Sequence, residues 1–247
     1  MNNQYTCLTE WNPHRKAAPM VQRVSATSIV EAVGDDLRAR ILAGTLTADV
    51  AVTEMEVAGS YDVARPTAKA AIEKLVGEGL LVRSNHKSAR VAVLGPDSVR
   101  DIYLARAYLE SEVLRRLAST GTVPAAAVAA NAELAARAGE GDLAMVDPDM
   151  RFHTALIDAV GNERTSRMYR SLVSEVRLCM TRVQSLHLLD PELIHGEHQQ
   201  ILDHLAAGRG AEAANVLDAH LATARERLAG ALESRVLSTV PEESAAV

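Results

Sequence analysis

From Gly95-Pro96-Asp97 onward the chain contains no β-type run of useful length. Its apolar residues recur at helical spacing instead, over segments at about 97–119, 124–138, 142–160, 163–189, 191–207 and 210–235. Asp97, Asp142 and Asp190 stand at helix starts, Pro124 and Pro191 suit first-turn positions, and Gly121, Gly161 and Gly208 mark breaks. Pro148 falls inside one of these segments, where it starts or kinks the helix. A run of helices without a sheet can bury its apolar stripes only against one another, so this half must be an all-α bundle. Aromatic residues make up only 3% of the chain, so the cores must be built from Ala, Val, Leu and Ile.

The part before this break reads differently. Residues 1–24 are polar and without periodicity, the pattern of a flexible arm, and Trp11 there has no evident role. Ile29, Val33, Leu37, Ile41 and Leu42 form one apolar stripe, with Ser25, Thr27 and Ser28 as possible N-caps and Gly44 as a stop. Thr53 and Glu56 have capping-box spacing at the start of a short second helix. A third helix runs from about Pro66 to Glu78. Leu80–Arg83 and Val91–Leu94 then read as two short strands joined by a polar, basic loop. Three helices and a basic hairpin make a winged helix-turn-helix. The expected fold is mainly α: an arm over 1–24, a winged helix-turn-helix over 25–95, an all-helical domain over 96–236 and a frayed tail over 237–247.

The net charge of −6 argues at first against a nucleic-acid partner, but its distribution matters more. Residues 1–95 sum to +1 and residues 96–247 to −7. The window 63–95 stands at +4, from Arg65, Lys69, Lys74, Arg83, Lys87 and Arg90 against Glu73 and Glu78. Cys7 and Cys179 are too few and too far apart for a disulfide framework or a cysteine zinc site. No segment has the apolar length of a membrane span or the form of a secretory signal, so a cytoplasmic protein is expected.

A recognition helix presents base-reading side chains from its N-terminal end. Here that end reads Val63-Ala64-Arg65-Pro66-Thr67-Ala68-Lys69. Arg65 has the geometry to bond a guanine, Thr67 to reach a phosphate or a thymine methyl, and Lys69 to meet a phosphate. Asn85, His86 and Lys87 in the wing are placed for the minor groove or the backbone. Gly44-x-Leu46, Val63-x-Arg65-Pro66-Thr67 and Leu75-Val76-x-Glu78-Gly79-Leu80-Leu81-Val82 together resemble the GntR-type winged helix over roughly 29–94. The chain departs from that pattern at Ala64, where the family usually has Ser or Thr, at Lys69 (usually Arg), at His86 (usually Gly) and at Met55, which stands where an Arg is common.

In the second half Asp149 and His153 lie four residues apart, on nearly the same face of one helix. Such a pair is a ready chelate for a divalent metal, and a bundle can bring His198 and His220 from later helices to the same place. By spacing alone, core histidines that only form hydrogen bonds are the commoner outcome. Four features together are similar to the metal-binding branch of the FadR C-terminal domain over about 100–228: Asp149-x-x-Phe152-His153, Gly161-Asn162, Glu197-His198 before the aliphatic pair Ile201-Leu202, and Asp218-Ala219-His220-Leu221 near the end.

The resemblance implies a metal held by Asp149, His153, His198 and His220, with Zn²⁺ first and Ni²⁺ or Mn²⁺ as alternatives, and with coordination positions left for water or a ligand carboxylate. His195, one turn before His198, is the competing histidine. The resemblance also turns Arg106 toward the ligand cavity as a carboxylate clamp, while its spacing to Glu110 suits a plain i,i+4 ion pair. Asn162 reads as a cap for the helix that follows.

Together the two halves imply a homodimeric, ligand-responsive transcriptional regulator, in its commoner mode a repressor, bound to a pseudo-palindromic double-stranded DNA operator. A small carboxylate effector beside the metal would shift the population of DNA-binding states. The scarcity of aromatics favours a small polar ligand over a stacked ring. Two other readings of the same residues are a metal-dependent hydrolase with Glu197 as base, and a regulator that senses the metal itself.

Overall fold

The computed structural model describes residues 28–83, 88–140, 142–183, 188 and 190–239. The expected arm, with Trp11, lies outside them. In the first half α1 (Ile29–Leu42), α2 (Glu54–Tyr61) and α3 (Arg65–Gly77) surround a small antiparallel sheet of β1 (Ala51–Val52), β2 (Leu81–Val82) and β3 (Ala89–Val91). The strand order is β1-β3-β2, with Val52 opposite Ala89 and Leu81 opposite Val91. The hairpin expected from the sequence is β2–β3, but its second strand is Ala89–Val91 and not Val91–Leu94, because Ala89 and Arg90 pair with β1. The third strand, β1, spans only two residues, too few for an alternating pattern to be read.

Local chemistry sets the helix starts. Ser28 and Thr53 each form a full capping box, with Glu31 and Glu56 returning a bond to the cap backbone. At the start of α3 the cap is Ala64, whose extended backbone suits an N-cap but whose methyl group accepts no hydrogen bond. Val33, Leu37 and Ile41 of α1 and Ala68, Ile72 and Leu75 of α3 bury their stripes together with Leu80, Leu81 and Val91. Arg38 of α1 donates through Nε and Nη2 to the two carboxylate oxygens of Glu78, at 2.8 and 2.7 Å, tying α1 to the end of α3.

The second half is the expected bundle: α4 (Pro96–Ser119), α5 (Ala125–Ala136), α6 (Asp142–Ala159), α7 (Glu163–Val183), α8 (Pro191–Ala206) and α9 (Gly210–Thr239). The long helices α4 and α9 pack against each other most extensively, and Gly210 permits the approach because a Cβ there would lie 2.8 Å from the Arg115 backbone. Asn162 Oδ1 accepts from the Arg164 and Thr165 amides, which is the capping role expected of it. Pro148 sits inside α6 rather than at its start, and its missing N–H leaves the Ala144 carbonyl without the usual helical bond. Helix α9 runs on to Thr239, three residues into the segment expected to fray.

Helix α7 touches both halves. Leu178 of α7 is part of the winged-helix core. One turn earlier the same helix carries Glu175, whose carboxylate lies against Gly79, a residue with φ of +73°. A side chain at Gly79 would overlap that carboxylate as well as strain the backbone. Because Ala64 leaves the first amides of α3 without a side-chain acceptor, Ala64→Ser is expected to stabilise the chain by about 1 kcal/mol. Urea unfolding of the two proteins measures this, and an unchanged midpoint would mean that the start of α3 is satisfied by other means.

Candidate metal centre and nucleic-acid interface

Asp149 and His153 project from one face of α6, as their spacing requires, while α8 contributes His198 and α9 contributes His220. The helices bring one ligand atom of each residue within 4.8 Å of all the others, and all four residues are buried. Asp149 Oδ1 lies 3.8 Å from His153 Nε2 and 3.4 Å from His198 Nε2. The ring centroids of the three histidines are 5.0 to 5.3 Å apart. Phe152 stacks on His198 at 3.7 Å with the rings 6° from parallel, which fixes the orientation of that imidazole.

The polar atoms of this cluster are unusual in lacking partners. Asp149 Oδ1, His153 Nε2 and both ring nitrogens of His198 are buried without a hydrogen bond. Each such atom costs on the order of 1–3 kcal/mol if nothing satisfies it. A divalent cation fits the donor set, since one carboxylate oxygen and three imidazole nitrogens suit zinc or a neighbouring transition metal. When bound, such an ion would supply positive charge and open coordination positions to a ligand oxygen.

Two carboxylates orient the ligands. Glu110 of α4 takes the Nδ1–H of His153 at 2.6 Å and Glu197 takes the Nδ1–H of His220 at 2.7 Å. A carboxylate only accepts, so each bond holds the imidazole as the tautomer whose Nε2 lone pair is free. Burial pushes the His153 imidazole below its ordinary range, and Glu110 opposes this without reversing it. Burial first, and then the nearness of His153 and His220, push His198 well below that range. Both rings are therefore in the neutral, ligating form at neutral pH.

Glu110 has no exposed surface, and it also accepts from Arg106 Nε at 2.9 Å and from the Tyr169 hydroxyl at 2.7 Å. Burial works against its charge, but His153, Arg106 and these hydrogen bonds outweigh it and hold the carboxyl below its usual range. Because His153 is itself neutral, the cation that does this is Arg106. The two sequence readings of Arg106 thus hold together: it pairs with Glu110, and it also lines the cavity beside the cluster, with its Nη2 buried and unpartnered. Val176 and Met180 of α7 line the same cavity, as do Asp149, Glu197 and His220.

His195 does not join the cluster. Its Nδ1 meets the Asn131 carbonyl at 3.2 Å, and its own carbonyl accepts from Asn131 Nδ2, so it ties α8 to α5. Sequence reasoning missed Glu110 and Tyr169 as supports of the centre and took Glu197 only as a hydrolytic base. The Arg106–Glu110 spacing was visible, but nothing along the chain announces that Glu110 meets His153.

At the other candidate site Arg65 and Lys69 are exposed and Thr67 is half-buried at the start of α3. Arg65 borders a groove with Thr53, Met55 and Arg83. Arg83 is drawn to Glu54 and Glu73, at 3.5 and 3.3 Å, and so braces α2 against α3. Asn85, His86 and Lys87 lie outside the described residues.

If Glu110 orients His153, Glu110→Gln should lower zinc affinity by about 10-fold to 100-fold. Competition with a chromogenic chelator measures this. Undiminished affinity in a folded variant would show that His153 is held by packing alone.

Residues 29–91 match the bacterial regulatory proteins of the gntR family, and residues 101–223 match the FCD domain. The chain is 26% identical over 173 residues to the Nta operon transcriptional regulator of Aminobacter aminovorans, spanning 69% of this chain and 80% of that protein. It is 25% identical over 222 residues to the HTH-type transcriptional regulator BphR of Paraburkholderia xenovorans LB400, spanning 83% and 86% respectively. Among solved structures, a GntR transcriptional regulator from Rhodococcus sp. RHA1 superposes with a TM-score of 0.70 at 24% identity, covering 83% of this chain and 99% of that one. McbR/YncC of E. coli superposes with a TM-score of 0.58 at 15% identity, covering 86% and 97%. Both structures share the fold. No helix among the described residues is long and apolar enough to cross a membrane. The winged helix, the helical bundle with its buried Asp/His cluster and these two family matches make the chain a member of the GntR family of DNA-binding transcriptional regulators, with an FCD domain, and not an enzyme.

Proposed function

We propose that this chain is a cytoplasmic, homodimeric repressor whose hold on a pseudo-palindromic operator is weakened by a small carboxylate effector bound at the metal centre. The observation that carries this reading is the cavity lined by Asp149, His220 and Arg106, whose Nη2 is buried without a partner. A guanidinium beside a metal centre is suited to one carboxylate group, which would take a coordination position with one oxygen and the Arg106 N–H with the other. Zinc is the first choice of metal by its preference for imidazole and carboxylate ligands.

Helix α7 provides a route from this cavity to the DNA. Val176 and Met180 face the cavity, while Glu175 and Leu178 of the same helix meet the winged half. An effector that packs against Val176 and Met180 favours one placement of α7 and, through Gly79 and the core around Leu178, one placement of α3. The effect on operator affinity is a population shift with the size of the effector's differential affinity for the two placements. In the dimer two copies of α3 would enter successive major grooves, with Arg65 reading a guanine and Thr67 and Lys69 holding the backbone. Asn85, His86 and Lys87 would add wing contacts.

The hydrolase reading falls away, since Glu197 is engaged with His220 Nδ1 and the family is one of regulators. Arg65→Ala should weaken binding to an operator selected from random DNA by roughly 5-fold to 150-fold per half-site, the worth of one bidentate contact. Mobility-shift titration measures the loss, and size-exclusion chromatography checks that the dimer persists. An unchanged footprint would overturn the role of α3. Titrating zinc alone over the same operator separates effector sensing from metal sensing.

A further inference from the structure

The cavity beside the metal centre is lined by two kinds of side chain. Four of its polar residues belong to the metal centre or support it: Asp149 and His220 are candidate ligands, Glu197 is held by His220, and Arg106 is held by Glu110. The apolar lining is formed chiefly by Val146, Met150, Val176, Met180, Ile194 and Leu228. The remaining polar lining groups are Tyr103, Thr223 and Arg227. Thr223 Oγ1 already donates to the Ala219 carbonyl at 3.0 Å, and Arg227 Nη1 to the Leu188 carbonyl at 3.4 Å. Among the described lining residues there is no Asn, Gln, Ser or Lys to meet a row of hydroxyl groups.

From this we infer that the effector is an amphipathic monocarboxylate: one carboxylate head at the metal and Arg106, and an unsubstituted hydrocarbon body against the aliphatic and methionine wall. The inference rests on the carboxylate reading proposed above and narrows it. It also replaces the small polar ligand that the scarcity of aromatics suggested. Hydroxyl groups along the body would be desolvated without partners, which outweighs any gain from their size. A hydrocarbon body gains instead from every methylene removed from water, roughly fourfold in affinity per group. Met150 and Met180 are unbranched and adapt their shape, so the wall can close on bodies of different outline.

Four acids of defined shape test this on the zinc-loaded full-length protein by isothermal titration at millimolar acid. Acetate supplies the head alone, hexanoate adds an apolar body, adipate adds a second carboxylate at the far end, and gluconate has six carbons but a hydroxylated body. Hexanoate is expected to bind at least tenfold more tightly than acetate, adipate or gluconate. Met180→Gln and, at the less buried rim, Leu193→Asn are expected to erase that advantage while leaving acetate binding in place. If acetate binds but gluconate or adipate equals or exceeds hexanoate, the apolar class is wrong and the carboxylate reading stands. If zinc binds and none of the four acids does, the carboxylate reading fails and this inference fails with it.

Discussion

A carboxylate with no exposed surface is tolerable only where cations and donors surround it, and Glu110 occupies such a place. Three groups converge on it: Arg106 from one turn earlier in α4, His153 from α6 and Tyr169 from α7. The charge that burial opposes is held by a guanidinium that cannot deprotonate. Once Glu110 is ionised, His153 must present Nδ1–H to it and turn Nε2 toward Asp149 and His198. The same carboxylate holds Arg106 at Nε, while Nη2 stays buried without a partner. Ligand orientation, the tautomer of His153 and the direction of Arg106 thus follow from one buried anion and the helices packed around it.

The remaining groups of the centre repeat this logic at its edge. Glu197 does for His220 what Glu110 does for His153, and Phe152 orients His198 by stacking where no hydrogen bond does so. Against this rigid frame α7 stands out as the shared element. It brings Tyr169 to Glu110, Val176 and Met180 to the cavity, and Leu178 to the winged-helix core. Through Glu175 and Leu178 the same helix also meets the Gly79 turn that follows α3 and the core of the winged half.

Much of the fold was legible because its signals are local. The Thr53–Glu56 box, the apolar stripes of α1 and α3, and the glycine and proline breaks of the bundle each depend on residues within a turn or two of one another. The strand β1 was not legible, since a two-residue strand is defined by the partner it finds in β3 and not by its own pattern. Nor was the end of α9, since the tail expected to fray over 237–247 begins before the helix stops at Thr239.

By itself the sequence determined the two-part, mainly helical architecture and the placement of Asp149 with His153 on one helix face, because helical periodicity relates residues four apart whatever surrounds them. It also supplied the family patterns that single out His198 and His220. Only the tertiary structure decided that these four residues meet within one cluster, that His195 turns away to Asn131, and that Arg106 serves both its pair and the cavity. The physical reason is that desolvation and the hydrogen bonds answering it depend on what other helices bring to the same place. Residues such as Glu110 and His153, distant along the chain, carry no sign of one another until α4 and α6 pack.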